Sequence, residues 1–294
     1  MPSIIGRETE FFELQRALAS KEAELIAVYG RLGVGKTFLI REAYKANLIF
    51  QFTGTQDSNS NEQLIKFAEE LTRKAKSELP IKISKNWGEA FYLLRDYLTP
   101  RLKGSTKQVV FLDGFPWLST PRSKFLQEFD YFWNSCASAQ SSLIIVICGS
   151  AASWMIKQVL NNKGGLHNRV TKRLRLLPFT LKETNSFLKS RNVRLENYET
   201  LMLYMALGGI PYYLRDILPG ESCNQAIDKL LFSENGSLRD EFTNLYPALF
   251  DNAELHINVI RALANHPTGL QRSELTSKCG LSSGGTLTKK SLKN

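Results

Sequence analysis

The stretch ELIAVYGRLGVGKT, residues 24–37, decides the fold, and the helical pattern FLIREAY follows it over residues 38–44. Residues 25–29 form an apolar run that is long enough for a buried strand and too short for a helix. Gly30, Gly35, Lys36 and Thr37 fit the pattern G-x-x-x-x-G-K-S/T. A strand, a glycine-rich loop and a helix in this order are the context that a phosphate-binding loop, or P-loop, requires.

Each residue type in this loop has a physical role in binding a polyphosphate. Glycines allow positive φ and bring backbone N–H groups against the anion, and the following helix directs its positive end at the same anion. Lys36 is expected on the β- and γ-phosphates, and the Thr37 hydroxyl is expected to ligate Mg²⁺. The predicted nucleotide-binding residues of the loop are Gly30, Arg31, Leu32, Gly33, Val34, Gly35, Lys36, Thr37 and Phe38.

A second strand pattern ends in a carboxylate. QVVFLD, residues 108–113, is apolar and β-branched and finishes at Asp113. In P-loop enzymes such an aspartate lies beside the first strand and holds Mg²⁺ together with the loop hydroxyl. The alternative is a loop aspartate that caps a neighbouring element. We predict that Thr37 and Asp113 form the metal site.

A third strand, LIIVIC at residues 143–148, lacks alternation and is therefore expected to be a buried parallel strand. It is followed by Ser150, which is predicted to lie beside the γ-phosphate and to sense it. Ser150 is equally well suited to cap a helix over residues 151–160, and the two roles are compatible. Arg169 and Arg173 precede or enter a last strand at residues 174–178. Both are candidates for reaching phosphate, although single arginines before a strand more often form surface ion pairs.

Beyond Pro178 the pattern changes from alternating strands and helices to helices alone, which predicts a domain boundary there. Helices are predicted at residues 181–191, 197–207, 211–218, 222–233 and 237–249. Residues 254–265, 271–278 and 282–293 have helix-turn-helix spacing, with Gly280 in the turn. The two strands of a winged helix are not reached before Asn294, so this domain is expected to be cut short. The basic final stretch (Lys289, Lys290, Lys293) suits DNA phosphates and equally suits a solvated tail.

Composition sets broad limits. Thirty-eight Lys and Arg against 28 Asp and Glu give a net charge of +10, which favours polyanionic partners. Much of this excess is expected to be spread over ordinary solvated faces, so charge alone is weak evidence for nucleic acid. The four scattered cysteines predict reduced thiols and a cytoplasmic protein. No apolar run approaches the roughly 18 residues that a membrane span needs.

Five motifs together resemble the AAA+-like prokaryotic "archaeal ATPase" family, which is related to the STAND class. They are IGRE at residues 5–8, DGFPWL at 113–118, CGSAASWM at 148–155, LHNR at 166–169 and GGIP at 208–211. The resemblance implies an α/β P-loop NTPase with a parallel sheet of order 5-1-4-3-2. It further implies three parts, namely an ATPase core (1–178), a helical lid (179–250) and a partial winged helix-turn-helix (251–294).

The resemblance also implies roles for individual residues. Gly6, Arg7 and Pro211 are expected to line the adenine, and Arg169 to stabilise phosphate charge on its own nucleotide or on a neighbour's. The base is expected to be adenine because residues 162–165 (NKGG) lack the carboxylate that pairs with guanine in N-K-x-D motifs. ATP with Mg²⁺ is thus the implied ligand.

The family pattern is broken at one place. Relatives usually carry Glu where this chain has Gly114, and that Glu activates the attacking water. We therefore expect tight ATP binding with slow hydrolysis in a nucleotide-dependent conformational switch, and a Gly114→Glu change that raises the rate. The alternative is a DNA-binding regulator, or a defence or mobile-element factor, in which ATP is mainly structural. Whether the chain forms a homo-oligomer is left open.

Overall fold

The computed structural model describes residues 4–76, 79–162, 165–241, 243 and 253–280. The chain divides into two compact units, residues 1–226 and residues 227–294. The first unit contains the sheet and the P-loop.

The sheet of the first unit consists of five parallel strands. In chain order these are β1 (Glu24–Gly30), β2 (Leu48–Thr53), β3 (Gln108–Asp113), β4 (Leu143–Gly149) and β5 (Lys172–Leu176). Their order in space is β2-β3-β4-β1-β5. The predicted order 5-1-4-3-2 and the α/β class are confirmed. The residues that follow β1, β3 and β4 consequently meet at the carboxyl edge of the sheet.

Helices precede, connect and follow these strands along the chain. In chain order they are α1 (Glu8–Leu18), α2 (Lys36–Ala43), α3 (Ser60–Ala75), α4 (Trp87–Leu98), α5 (Phe115–Leu118), α6 (Phe125–Ser135), α7 (Ala152–Trp154), α8 (Leu181–Ser190), α9 (Asn197–Leu207), α10 (Pro211–Leu214), α11 (Cys223–Ile227), α12 (Ala253–Ala264) and α13 (Arg272–Lys278). A π-helical turn, Met155–Leu160, continues α7, and another, Asp228–Phe232, continues α11.

Two apolar layers hold the sheet between them. On one face Leu14 of α1 and Leu39 and Ile40 of α2 pack against β1, β3 and β4. On the other face α3, α4 and α6 build a larger core rich in aromatic side chains, in which Trp87 and Phe125 have ring centroids 4.8 Å apart. Burial of both faces explains why β4 is fully buried and shows no alternation in its sequence.

The last strand lies two residues earlier than predicted. β5 covers Lys172–Leu176 rather than residues 174–178. It is an edge strand, and its sequence KRLRL alternates exposed and less exposed side chains. The prediction relied on continuous apolar runs. An edge strand with charged residues on its solvent face has no such run, so its first residues resemble a loop in the sequence.

The helix that follows β4 also differs from the prediction. Its α-helical part is one turn, and the residue before it is Ala151, whose side chain makes no capping hydrogen bond. The predicted capping role of Ser150 is therefore wrong. The capping box of α3 is built by Asn59 and Glu62, and that of α8 is built by Thr180 and Glu183.

The second unit contains α12 and α13, which match the first two predicted helices of the helix-turn-helix. Most of the predicted helix over residues 237–249 lies outside the described residues, as do the segment 282–293 and its three lysines. The winged helix stays a prediction, and so do the domain boundaries near residues 178 and 250. In the part of the chain that the structure describes, no helix is both long enough and apolar enough to traverse a bilayer.

Gly30 provides a stability test of this architecture. Its φ is +153°, and a Cβ added there would lie 2.2 Å from the backbone oxygen of Leu176 on β5. We expect Gly30→Ala to lower the free energy of unfolding by at least about 2 kcal/mol, because the backbone cannot move aside cheaply. Gly104→Ala is the control, since its Cβ would meet no atom nearer than 4.0 Å. Urea unfolding of the two variants checks this, and equal losses would contradict it.

Candidate functional site

The P-loop connects the end of β1 to the start of α2. Gly33 and Gly35 have φ of +82° and +92°, which only glycine adopts without strain. Gly35 occupies the N-cap position of α2, and it has no side chain that could bond the first helical amides. These amides are therefore available to an anion, as at other helix N-termini that bind phosphate.

Lys36 is held inside the loop. Its side chain is buried, and Nζ donates to the carbonyl oxygens of Gly30 at 2.9 Å and Arg31 at 2.8 Å. An ammonium group has three donors, so one remains beyond these two bonds. Burial lowers the pKa of Lys36 from its usual value. The positive charge of Lys36 is thus held in place by carbonyl groups of the same loop whose amides would surround a phosphate.

The predicted metal ligands are brought together. Thr37 Oγ1, at the start of α2, donates to Asp113 Oδ2 at 2.6 Å, and the Gly114 amide donates to Asp113 Oδ1 at 2.9 Å. A hydroxyl and a carboxylate are hard oxygen donors of the kind that Mg²⁺ accepts while it keeps waters and phosphate oxygens as its other ligands. No group of three or more His, Cys, Asp or Glu side chains with metal-site geometry occurs among the described residues. The donor set therefore fits Mg²⁺ and not an all-protein cage.

Cys148 also belongs to this site, although the sequence predicted only that it is a reduced thiol. It is fully buried at the end of β4, where it pairs with Val28 of β1, and its side chain interacts with both Asp113 and Lys36. Burial first, and then the Asp113 carboxylate, raise the pKa of the Cys148 thiol well above its usual value. Its position one residue after Ile147, which pairs with Leu112, is the signal that could have placed it beside Asp113. Ser150 lies two residues further on and is partly exposed.

Position 114 is closed to a side chain. Gly114 has φ of +59°, and a Cβ there would lie 2.6 Å from Cε3 of Trp117. The tip of β2 adds to this closure, because the Gly54 amide donates to the Asp113 carbonyl at 2.9 Å. Gln63, which is fully buried, donates to the carbonyl oxygens of both Thr55 and Trp117 and so links the residues after β2 to α5. The segment after Asp113 therefore follows a path that requires glycine.

Arg7 links the P-loop to the helices that follow β5. Its buried guanidinium donates to the carbonyl oxygens of Val34 at 3.1 Å and Leu177 at 2.7 Å, and it lies 4.9 Å from the centroid of the Phe179 ring. Glu10 is 3.5 Å away and supplies the opposite charge. Burial lowers the pKa of Arg7, and Glu10 opposes that shift. The Arg7 side chain is thus engaged by protein groups on several sides.

The segment at residues 209–212 contacts the loop directly. The Tyr212 amide donates to the Gly33 carbonyl at 3.2 Å, and a Cβ at Gly33 would approach both Tyr212 and Ile210 within 3.0 Å. Pro211 lies between these two residues as the first residue of α10. On the amino-terminal side Gly6, with φ of +63°, packs closely against the Glu183 side chain of α8. The structure therefore brings Arg7 and the segment around Pro211 to the borders of the P-loop, whereas Gly6 contacts α8.

Two P-loop side chains, those of Leu32 and Phe38, are half exposed. The buried Nε of Arg31 has no hydrogen-bond partner among the described residues. These side chains, with Tyr212, form an apolar and cationic margin around the loop. Such a margin suits a ligand with a flat base and a charged tail.

Arg169 is not brought to this site. The Thr171 amide donates to the Leu25 carbonyl, and Lys172 pairs with Ile26, so Arg169 lies near the amino end of β1. The P-loop follows the carboxyl end of β1, on the order of 20 Å away along the strands. Arg169 is also exposed.

The comparisons with known proteins agree with this geometry. An uncharacterized protein of Methanocaldococcus jannaschii is 25% identical over 269 residues, which are 90% of this chain and 55% of that protein. The chain thus spans just over half the length of this curated relative. A Walker-type ATPase of Pyrococcus abyssi has a TM-score of 0.62 at 18% identity, with 94% of this chain and 88% of that chain covered. The ORC2 protein of Aeropyrum pernix, solved in ADPNP–ADP complexes, has a TM-score of 0.56 at 17% identity, with 95% and 80% covered.

The two structural likenesses, at these low identities, show the shared fold. A model of the family described as an ATPase domain predominantly from Archaea matches residues 4–217, which include the P-loop, Asp113 and the segment at residues 209–212. Since the match covers well over half of the chain, this protein belongs to that family of ATPase domains found predominantly in Archaea.

Proposed function

We propose that the protein binds ATP with Mg²⁺ and acts as a nucleotide-dependent conformational switch with slow hydrolysis. The observation that carries this proposal is the arrangement of three side chains. Lys36 is held by two loop carbonyls, and Thr37 donates a hydrogen bond to Asp113. The loop amides and Lys36 would bind the phosphates, and Thr37 and Asp113 would hold Mg²⁺. The metal would neutralise phosphate charge when bound.

The switch would operate through contacts between the P-loop and the helical segment after β5. Tyr212 bonds to Gly33, and Arg7 bonds to Val34 in the loop and Leu177 beyond β5. A ligand that changes the loop therefore acts on groups that hold the lid helices in place. It shifts the lid equilibrium by the difference between its contact energies in the two lid positions. Gly6, Arg7 and Pro211 would lie around the adenine, Arg7 through its backbone because its guanidinium is engaged.

Two other roles remain part of the proposal. Ser150 would sense the γ-phosphate from the tip of β4. Arg169 lies at the opposite edge of the sheet from the P-loop, so it would stabilise phosphate charge only on the nucleotide of a neighbouring subunit. This second role requires a homo-oligomer in which the amino edge of β5 meets another subunit's P-loop.

The second candidate function is a DNA-binding regulator in which ATP is mainly structural. The observation in its favour is the helix pair α12 and α13, with Gly280 at φ +63° in the turn after α13. Under this function the chain would control its affinity for DNA, whereas under the first it would control the position of the lid.

The ATP site is tested with Lys36→Ala. We expect roughly 10- to 100-fold weaker ATP binding in the presence of Mg²⁺, because charge-assisted hydrogen bonds to phosphate are lost. Lys45→Ala, which removes an exposed lysine elsewhere, should bind as the unaltered protein does. Isothermal titration measures both. ATP binding of equal strength in all three proteins would overturn the proposal.

The Arg7 contacts are tested for both stability and binding. Arg7→Ala leaves the Val34 and Leu177 carbonyls without their donor, so we expect a loss of about 2–4 kcal/mol in unfolding free energy and weaker ATP binding. Arg7→Lys keeps the charge without the guanidinium fork and should restore only part of the loss. Arg16→Ala, which removes an exposed α1 arginine paired with Glu13, should cost less than about 1 kcal/mol. Urea unfolding and titration calorimetry provide the readouts. An Arg7→Ala protein indistinguishable from Arg16→Ala would show that the Arg7 contacts stabilise neither the fold nor the nucleotide site.

The hydrolysis rate is tested at position 114. The sequence predicts that Gly114→Glu raises the rate, and the geometry adds that Trp117 blocks the new side chain. We therefore expect Gly114→Glu alone to be destabilised, and Gly114→Glu combined with Trp117→Ala to release phosphate at least about 10-fold faster than the unaltered protein.

Trp117→Ala alone is the matched control for this experiment, because it opens the space without supplying a base. Phosphate release under saturating ATP measures the rate, and thermal unfolding measures the strain. If the double variant and Trp117→Ala hydrolyse ATP equally fast, position 114 is not where a general base acts.

A further inference from the structure

The net charge of the chain is concentrated in one region. Residues 131–182 contain no Asp or Glu and seven cations, leaving a charge of only +3 for the rest of the chain. The seven are Lys157, Lys163, Arg169, Lys172, Arg173, Arg175 and Lys182. The expectation that the excess is spread over ordinary solvated faces therefore does not hold. This region runs through β4, the π-helical turn at Met155–Leu160 and β5.

The fold places several of these cations on one side of the sheet. Arg173 and Arg175 alternate along β5 with Leu174 and Leu176, which pack into the α1 and α2 layer. Lys172 lies near that layer, where its Nζ is 3.5 Å from Glu13 of α1. Because successive side chains point to opposite faces of a strand, Arg173 and Arg175 project from the face opposite to Leu174 and Leu176.

The layer on that other face carries two more cations. The π-helical turn packs there through Met155 and Val159, and the segment before β5 packs there through Leu166 and Val170. Lys157 is an exposed residue of that turn, and Arg169 is an exposed residue of that segment. We call Lys157, Arg169, Arg173 and Arg175 the β5 basic face, and all four are exposed.

Three of these charges form no ion pair with any residue that the structure describes. Within the described ranges Lys157, Arg169 and Arg175 have no carboxylate within ion-pair distance, unlike Arg16, Arg73 and Arg95 on other surfaces. Charges on an edge strand do prevent edge-to-edge pairing. That purpose requires charges on β5 alone, and it does not explain the absence of acids from the other 47 of the 52 residues, which lie outside the strand.

We propose that the β5 basic face binds the phosphate backbone of duplex nucleic acid without sequence preference. A cluster of cations on one face, in a stretch of chain without acids, is the electrostatic footprint of such binding. Single-strand binders add aromatic side chains on which bases stack. Residues 165–178, which include Arg169, Arg173 and Arg175, contain no Phe, Tyr or Trp. The partner is therefore recognised by its backbone charge rather than by its bases.

The experiment measures binding of the full chain to a fluorescently labelled random-sequence duplex, without nucleotide, between about 50 and 200 mM salt. Each phosphate contact contributes about −0.9 to the slope of log K against log salt, so four cations predict a slope of about −3 to −4. Arg173→Gln with Arg175→Gln should make the slope about 2 smaller in magnitude and weaken binding at least about 10-fold at low salt. Lys45→Gln with Lys103→Gln, an equal charge change at exposed lysines outside this face, should bind as the unaltered protein does.

Several results would overturn the proposal. These are no binding of duplex at the lowest salt, unchanged binding by the Arg173 and Arg175 variant, or an equal loss in the Lys45 and Lys103 control. A loss confined to a variant with Gln at Lys289, Lys290 and Lys293 would assign DNA contact to the C-terminal stretch instead. A change of mass in solution, without any duplex binding, would make the face a contact between copies of the chain. Should the Arg173 and Arg175 variant unfold, Lys157→Gln with Arg169→Gln serves as the second variant. Since no nucleotide is present, these outcomes are separate from those of the ATP test.

Discussion

The hydrogen bond between Thr37 Oγ1 and Asp113 Oδ2 is the contact on which the nucleotide site depends. It joins residues that are 76 positions apart, and β4 lies between the two strands that deliver them. The bond can form only if β1, β4 and β3 are adjacent in that order and end at the same level. The buried parallel strands satisfy both conditions, because their register is fixed on either side of β4. The fixed register of these strands, together with the packing of α2 against them, therefore holds a hydroxyl and a carboxylate at one point of the carboxyl edge.

β4, the strand between β1 and β3, also contributes to the nucleotide site. The tip of β4 places Cys148 beside Asp113 and within electrostatic reach of Lys36, and its thiol stays neutral because burial and Asp113 both raise its pKa. A charged group at this place would either pair with Lys36 or repel Asp113. Under the proposed function, the buried neutral thiol would leave Lys36 to a phosphate and Asp113 to a metal.

Sequence reasoning could place what periodicity and residue type determine. The apolar run before Gly30 predicted β1, the run before Asp113 predicted β3, and the match of residues 4–217 to the family agrees with the motifs that suggested it. Sequence reasoning was less successful where solvent exposure, or close contact between atoms distant in the chain, determines the structure. β5 was misplaced because its exposed face is charged, and Ser150 was assigned a capping role that Ala151 occupies without a side-chain bond. Gly114 could be recognised as unusual, but its positive φ against the Trp117 ring is a three-dimensional fact that residue spacing does not encode.

β5 is the strand where these features converge. Its last carbonyl lies so close to Gly30 that only glycine fits, and the Leu177 carbonyl just beyond it is held by Arg7. Its outer edge pairs with no other strand among the described residues, and its exposed side chains are arginines. A strand paired on one side has fewer backbone bonds to lose than β1 or β4, so its position depends more strongly on the contacts at its carboxyl end. Those contacts are with the P-loop and Arg7. Since β5 is otherwise held by its pairing with β1, a ligand that moved the loop would act on these end contacts and, through them, on the β5 basic face.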